Sequence, residues 1–278
     1  MCLLVVAWRS HPRYRLVVAG NRDEFHERPT AALGWWSDAP DVLGGRDLRA
    51  GGTWLGLDRS RRFGVITNYR DLQRPAPGAP SRGDLIPRFL GESCGAGEFL
   101  AGLEPHASRY SGFNLLLADE GELWYASNRA RPFARPLPPG LYGLSNHLLD
   151  TPWPKLARVR GTFAAWLAGQ GEHEDQGTAG ARGADDKPSS SALDALLGML
   201  EDRAPAGDGE SLPRTGLPRE WEHVLSSPFV LHPEYGTRCS TVVLIGRDGE
   251  LLVRERRFEP SGARNGETEI ELGPGEWP

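Results

Sequence analysis

The sequence predicts an α+β fold in which two antiparallel sheets are covered by helices. Short apolar runs separated by glycine-containing turns occupy both ends of the 278-residue chain, and helical periodicity is confined to its middle. The composition, with 39% hydrophobic and 25% charged residues, is that of a protein with one sizeable core. Strands at both ends and helices between them are typical of layered folds that combine sheets and helices.

The predicted strands are short segments rich in β-branched, aromatic and other apolar residues. Turns at 119–121 and 247–249 contain Asp and Gly, and each predicts an antiparallel hairpin. In chain order, the predicted strands are 3–8, 15–20, 54–57, 63–67, 112–118, 122–126, 141–145, 241–246 and 251–256.

Helical periodicity occurs at 85–90, 96–103, 153–168 and 192–202. Residues 169–191 are rich in Gly, Ala, Asp, Glu and Ser and have no apolar period, and residues 204–217 are similar. We therefore predict a single domain, residues 1–278, with flexible insertions at 169–191 and 204–217.

The most informative residue is Cys2, which follows a single Met and opens the first predicted strand. If Met1 is removed, a thiol and a free α-amine belong to the same residue. An α-amine with a pKa of about 7.7 to 8.0 can serve as the base for a cysteine nucleophile. The alternative is a structural cysteine, since free Cys is among the most buried residue types.

The first two predicted strands form a hairpin that brings a polar cluster to Cys2. With the turn near Pro12, antiparallel pairing places Cys2 opposite Asn21, Arg22 or Asp23. An Arg beside a thiol favours the thiolate, and an Asp beside an α-amine orients it through a charge-assisted hydrogen bond. The hairpin therefore predicts a functional site at the start of the chain.

Several strings in the sequence resemble those of the NRDE family, whose eukaryotic members are called transport and Golgi organisation proteins. The resemblance runs in order from Met1 to about Leu244. The strings that carry it are Asn21-Arg22-Asp23-Glu24-Phe25, Arg28-Pro29-Thr30, Gly44-Gly45-Arg46-Asp47, Gly51-Gly52-Thr53-Trp54-Leu55-Gly56, Thr67-Asn68-Tyr69-Arg70, Leu144-Ser145-Asn146, Asp150-Thr151-Pro152-Trp153 and Tyr235-Gly236-Thr237-Arg238.

The resemblance implies a fold like that of the N-terminal-nucleophile hydrolases, a four-layer αββα sandwich whose first strand carries the nucleophile. The cysteine-type linear amide hydrolases, which include penicillin V acylases and conjugated bile acid hydrolases, are the nearest of these in style. Carried over position by position, the resemblance implies a site made of the nucleophile Cys2, Arg22 and Asp23 beside the thiol and amine, Asn68 and Asn146 as oxyanion-hole donors, and Arg238 as a late basic residue.

Two functions follow as hypotheses. The first is an N-terminal-nucleophile-type hydrolase or acyltransferase that acts on a carbon-nitrogen amide or a thioester through Cys2, with a small-molecule acyl substrate and no cofactor. The second is a non-catalytic protein that binds and traffics a hydrophobic cargo, haem or an acyl-coenzyme A or other lipid, as the family's links to haem and lipid homeostasis imply. Trp35 and Trp36 could line an apolar pocket for such a cargo.

Other functional classes are disfavoured. The net charge is -5 and the basic residues are spread along the chain, so no nucleic-acid partner is expected. Cys2, Cys94 and Cys239 form no CxxC pair and the histidines have no ligand spacing, which argues against a zinc site and covalent haem attachment. No apolar run is long enough for a membrane span or a signal peptide, and we expect a cytoplasmic protein.

Overall fold

The computed structural model describes residues 2–72, 78–175, 190–207 and 211–278. The strands are β1 (Cys2–Trp8), β2 (Tyr14–Phe25), β3 (Thr30–Trp36), β4 (Ala39–Asp47), β5 (Leu55–Asp58), β6 (Phe63–Asn68), β7 (Phe113–Ala118), β8 (Leu123–Ser127), β9 (Ala134–Leu137), β10 (Gly140–Leu144), β11 (Tyr235–Gly246), β12 (Leu251–Phe258) and β13 (Arg264–Leu272). The helices are α1 (Leu85–Gly91), α2 (Ala96–Leu103), α3 (Pro154–Asp175), α4 (Ser190–Met199) and α5 (Arg219–Val224). Short 3-10 helices span Arg82–Asp84 and Glu104–Arg109.

The strands form two antiparallel sheets. The first has six strands in the order β10-β1-β2-β11-β12-β13, and the second has seven strands in the order β3-β4-β5-β6-β7-β8-β9. The second sheet follows chain order throughout, whereas the first joins the two ends of the chain around β1 and β2. Both ends of the chain are therefore needed to complete the sheet that contains Cys2.

Three apolar layers hold the sandwich together. One face of each sheet packs against the other sheet, with Trp8, Leu57 and Phe63 among the buried residues. The outer face of the seven-stranded sheet packs on α1 and α2, and the outer face of the six-stranded sheet packs on α3 and α4. The predicted four-layer αββα sandwich of two antiparallel sheets is therefore confirmed.

The structure confirms both the predicted β1–β2 hairpin and its predicted register. Cys2 pairs with Arg22, within the range that the turn position predicted. Strand β2 is longer than predicted, because it continues through the polar residues to Phe25 between β1 and β11. Polar residues can occupy a strand there because side chains of β11 and the main-chain carbonyl that follows α4 form hydrogen bonds with them.

The sequence analysis missed strands β3, β4, β9 and β13. Strand β13 is an edge strand with mostly exposed residues and many charges. Such charges protect a sheet edge from pairing with other chains, and they also weaken the apolar pattern that predicts a strand.

The predicted helices are all present, and α3 extends through residues 169–175 of the first predicted insertion. Residues 176–189 of that insertion and residues 208–210 of the second lie outside the described residues. None of the helices in the described ranges combines the length and apolar character required to cross a membrane.

Asn21 connects the six-stranded sheet to the helical layer. Its side-chain amide donates hydrogen bonds to the carbonyl oxygens of Leu200 and Pro228, at 2.9 and 3.0 Å, and its Oδ1 accepts one from Ser240 Oγ at 2.6 Å. The residue is almost fully buried. Asn21, the first residue of the NRDE string, therefore stabilises the packing of the sheet against the segments that contain Leu200 and Pro228.

We predict that Asn21→Ala lowers the free energy of unfolding by about 3 kcal/mol, because three buried hydrogen bonds are lost together. Urea unfolding measures the change. Ser10→Ala is the control, since Ser10 is exposed and makes one hydrogen bond to the Trp8 carbonyl, and it should change stability by less than about 0.5 kcal/mol. Equal effects of the two substitutions would contradict the role given to Asn21.

Candidate functional site

Cys2 lies at the start of β1, between β2 and the end of β10. The alternate residues Leu4 and Val6 of β1 face the opposite sheet, and Leu3 and Val5 face the helices. Because side chains alternate along a strand, Cys2 points to the side between the two sheets. Ser145 Oγ donates a hydrogen bond to the Cys2 carbonyl at 3.2 Å and ties the start of β1 to the residue that follows β10.

A cavity of about 350 Å³ opens beside Cys2. This volume is within the range of small-molecule sites. Its walls are formed by the start of β1, the end of β2, residues 47–54, the end of β6 and the segment before α1. The residues that line it include Cys2, Arg22, Asp23, Glu24, Arg28, Trp54, Asn68 and Arg82.

Arg22 forms the wall of the cavity next to the thiol. Its guanidinium stacks on the Trp54 ring at 4.2 Å and donates a hydrogen bond to Thr30 Oγ1 at 3.2 Å. Burial raises the pKa of the Cys2 thiol, and the positive charge of Arg22 opposes that rise without reversing it. Burial is the larger influence, so the pKa of the thiol stays above its ordinary value, and the role of Arg22 at the thiol stays a prediction.

Asp23 lies almost fully buried on the helical side of the sheet. Its Oδ1 accepts a hydrogen bond from Thr237 Oγ1 at 2.8 Å, and its main-chain carbonyl accepts one from the Tyr235 hydroxyl at 2.9 Å. Lys155 Nζ lies 3.9 Å from Asp23 Oδ2. Burial raises the pKa of Asp23, and the nearby Lys155 charge is the largest opposing influence. β11 thus binds both the side chain and the main chain of Asp23, and the Lys155 ammonium lies close to the carboxylate.

The two predicted oxyanion donors occupy different positions. Asn68 lines the cavity, whereas Asn146 is fully buried behind it. The Asn146 amide donates a hydrogen bond to the Asn68 main-chain carbonyl at 2.9 Å, and Thr67 Oγ1 donates one to the Ser145 carbonyl at 2.8 Å. Asn146 therefore supports the backbone of Asn68. A direct role of either amide in an oxyanion hole stays a prediction.

Arg238 lies in a β-bulge of β11, between the paired residues Thr237 and Cys239. Its Nη1 donates hydrogen bonds to the carbonyl oxygens of Phe25, His26 and Arg28, at 2.9 to 3.2 Å. It does not line the cavity. The structure thus places Arg238 on the turn after β2, and its predicted role as a basic site residue stays untested.

The glycine-rich segment brings Trp54 to the cavity through a close backbone contact. A Cβ atom on Gly52 would lie 2.4 Å from the main-chain carbon and oxygen of Gly83, and the Thr53 amide donates to the Gly83 carbonyl at 3.1 Å. Gly51 adopts a φ of +82°, a conformation that favours glycine. Glycine at these two positions therefore allows a tight turn and a close backbone approach beside the cavity.

His147, Trp35 and Trp36 all contact other side chains of the protein. Both ring nitrogens of His147 are within hydrogen-bond distance of hydroxyls, those of Tyr69 and Thr151, at 2.9 Å each. Trp36 is buried in the core under α1, and Trp35 packs edge-on against Trp277. Neither lines the Cys2 cavity. In the ranges that the structure describes, no three His, Cys, Asp or Glu side chains are grouped to hold a metal ion.

Comparison with known proteins places the chain in a family. Residues 1–260 match the family described as Transport and Golgi organisation 2. The chain belongs to this family. A bovine relative, the Transport and Golgi organization protein 2 homolog, is 33% identical over 96% of this chain and 97% of its own length.

Two solved structures are also similar to this member of the Transport and Golgi organisation 2 family, each with a TM-score of 0.43. One is the Caenorhabditis elegans ortholog of N-acylethanolamine-hydrolyzing acid amidase, with 13% identity over 87% of this chain and 92% of that chain. The other is a mutant conjugated bile acid hydrolase from Clostridium perfringens, with 9% identity over 98% of this chain and 92% of that chain.

The sequence analysis missed Lys155, which lies beside Asp23, and also missed the cavity-lining Glu24, Arg28 and Arg82. Lys155 lies two residues after Trp153, where one of the strings shared with the family ends, and it belongs to no recognised motif. A signal was present, because lysine occurs only twice in a chain whose other basic residues are arginine. Arginine remains protonated in proteins, whereas a buried lysine can lose its proton.

We predict that Arg22→Met slows alkylation of Cys2 by iodoacetamide about tenfold at pH 7, because loss of a neighbouring positive charge raises a thiol pKa by about one unit or more. Peptide mass spectrometry separates the Cys2 adduct from one at Cys94, which is also partly accessible. Arg22→Lys keeps the charge and should stay closer to the parent rate. Alkylation of the Met variant at the parent rate would show that Arg22 has no influence on the thiol.

Proposed function

We propose that this protein is an N-terminal-nucleophile-type hydrolase or acyltransferase that acts on a carbon-nitrogen amide or a thioester through Cys2. The observation that carries the proposal is the position of Cys2, at the start of an internal strand and in the wall of a cavity that Arg22 and Asn68 also line. The αββα layering and the family resemblance of the NRDE string support the same chemistry.

In the proposed reaction, removal of Met1 makes Cys2 the first residue. The α-amine of Cys2 accepts the thiol proton, and the sulfur forms a bond to the carbonyl carbon of the substrate. An external base is unnecessary, although burial raises the thiol pKa, because the amine belongs to the same residue. The negative oxygen of the tetrahedral intermediate would accept a hydrogen bond from Asn68.

Collapse of that intermediate breaks the carbon-nitrogen or carbon-sulfur bond. The Cys2 ammonium returns its proton to the leaving nitrogen or sulfur, and a thioester remains on Cys2. Water in a hydrolase, or an amine in an acyltransferase, then attacks the thioester carbon and gives a proton to the α-amine. The bond from that carbon to the Cys2 sulfur breaks, the acid or the amide leaves, and the ammonium returns the proton to the sulfur. Asp23 would hold the ammonium form between these steps by charge attraction.

The second candidate is binding and trafficking of an anionic hydrophobic cargo, such as haem or an acyl-coenzyme A. The observation that favours it is that, in the part of the chain that the structure describes, two arginines of the cavity wall lack a salt bridge, although Asp23, Glu24 and Asp47 also line the cavity. Arg22 and Arg82 form no salt bridge within the described ranges, while Arg28 is paired with Asp47 at 2.6 Å. Two cations without a paired carboxylate are suited to a carboxylate or a phosphate. Binding of this kind would be saturable and would leave no covalent adduct.

We predict that the native protein has lost Met1 and gains a single acyl group on Cys2 when treated with an activated thioester. Intact-mass and peptide mass spectrometry detect both changes. Cys2→Ala should abolish the adduct and reduce turnover of any substrate by about 10³-fold or more. Cys94→Ala is the matched control and should be acylated at Cys2 like the parent.

Retained Met1 together with an inert Cys2 would sink the catalytic proposal. Titrations with haem and with an acyl-coenzyme A, followed by absorbance and by calorimetry, would then test the cargo function. A Cys2→Ala protein that turned over substrate at the parent rate would also exclude the proposed nucleophile.

A further inference from the structure

A lysine is buried beside the proposed nucleophile without a hydrogen bond. Lys155 is 1% exposed, and among the described residues its Nζ has no hydrogen-bond partner. The nearest carboxylate oxygen is Asp23 Oδ2, at 3.9 Å, and the Asp23 side chain is fully buried. Burying an ammonium group is costly unless an opposite charge compensates it. Asp23 is therefore the group that accounts for a charged Lys155 at this position.

The position of Lys155 in its helix makes a purely structural role unattractive. It is the second residue of α3, directly after Pro154. The first turn of a helix carries a partial positive charge, which disfavours a cation there. A residue selected only for packing or for helix stability would not bring an ammonium group to this site.

The surroundings of the pair are charged on several sides. Arg70, which follows β6, is close enough to act on the charge of Lys155, and it pairs with Glu222 of α5 at 2.6 Å. Cys2 approaches from β1, and β11 contributes Tyr235 and Thr237, whose hydroxyls bind Asp23. The Arg70 charge disfavours the ammonium form of Lys155, whereas Asp23 and a Cys2 thiolate favour it.

We propose that Lys155 is a positioning residue that holds Asp23 in its ionised form, so that the carboxylate can bind the α-amine of Cys2. The inference rests on the proposed function, in which that amine is the base. When the amine accepts the thiol proton, the resulting ammonium faces an ionised Asp23. Without Lys155, the buried carboxyl takes a proton from solvent and no longer stabilises the ammonium.

The electrostatics of the pair agree with this role. Burial raises the pKa of Asp23, and Lys155 is the strongest influence against that rise. Burial lowers the pKa of Lys155 to about 8, with Asp23 opposing. Removal of the Lys155 charge therefore raises the pKa of Asp23 further, and the carboxyl becomes protonated at a higher pH than in the parent protein.

The test compares Lys155→Met with Arg160→Met in the full-length protein. Both substitutions remove one positive charge from α3, but Arg160 pairs with Asp150 at 3.5 Å and is exposed on its side chain. The side-chain carboxyl of Asp23 is titrated by NMR of protein labelled with ¹³C-aspartate, with Asp23→Asn to assign the signal. The rate of Cys2 acylation by an activated thioester is measured from pH 5 to pH 9.

We expect the Asp23 midpoint to rise by one pH unit or more in Lys155→Met and to stay unchanged in Arg160→Met. The acidic limb of the acylation profile should move in parallel, so that the rate near pH 6 falls about tenfold while the rate at high pH is retained. Lys155→Arg, where the charge is kept, should leave the Asp23 midpoint near the parent value.

An unchanged Asp23 midpoint in Lys155→Met, or a shifted midpoint with an unmoved acylation profile, would overturn the inference. If Lys155→Met does not fold, the double variant Asp23→Asn with Lys155→Met removes the uncompensated carboxylate. Its acylation profile should equal that of Asp23→Asn alone, and a further change would count against the inference. A parent protein that is never acylated at Cys2 would overturn the proposed function itself, and the Asp23 titration still reports separately on Lys155.

Discussion

The pairing register of β2 is the constraint on which the site depends. Strand β2 lies between β1 and β11, so that Cys2, Arg22 and Cys239 stand side by side on three neighbouring strands. Because side chains alternate from face to face, a slip of one residue would turn the Arg22 side chain toward the helices and the Asp23 side chain toward the opposite sheet. The contact of Arg22 with Trp54 and that of Asp23 with Thr237 both require the observed register.

Local and long-range features of this site differed in how well the sequence could predict them. The position of Cys2 opposite Arg22 follows from one short turn, and it was predicted from hairpin geometry alone. Lys155 reaches Asp23 only through the packing of α3 on the sheet, which no local pattern encodes. Arg238 lies in a β-bulge and does not line the cavity. A bulge adds one residue to a strand and leaves no pattern in the sequence that would predict it.

The same limit explains the missed strands. Strands β3 and β4 contain Gly and Pro residues, which are unfavourable in strands, and they form because they pair with each other and β4 pairs with β5. Strand β13 is held by β12, with arginines of one strand facing glutamates of the other. Where pairing partners determine the structure, intrinsic preference is a weak guide.

Desolvation controls the charge state throughout the site. Burial raises the pKa of Cys2 and of Asp23 and lowers that of Lys155, and in each case a nearby charge reduces the effect of burial. Arg22 acts on the thiol from the cavity side, and Lys155 acts on the carboxyl from the helical side. The sheet thus separates two electrostatic environments that meet at the first residues of β1.

The hydrogen bond between Asp23 and Thr237 joins residues that are 214 positions apart in the chain. The β1–β2 hairpin can form early in synthesis from local contacts, but β11 can pair with β2 only when nearly the whole chain has been made. Such high contact order slows folding and leaves one edge of the hairpin open in the meantime. A nascent or C-terminally truncated chain would therefore carry Cys2 on an incomplete sheet. In such a chain Thr237 could not bind Asp23, and the edge of β2 would be open to pairing with other chains.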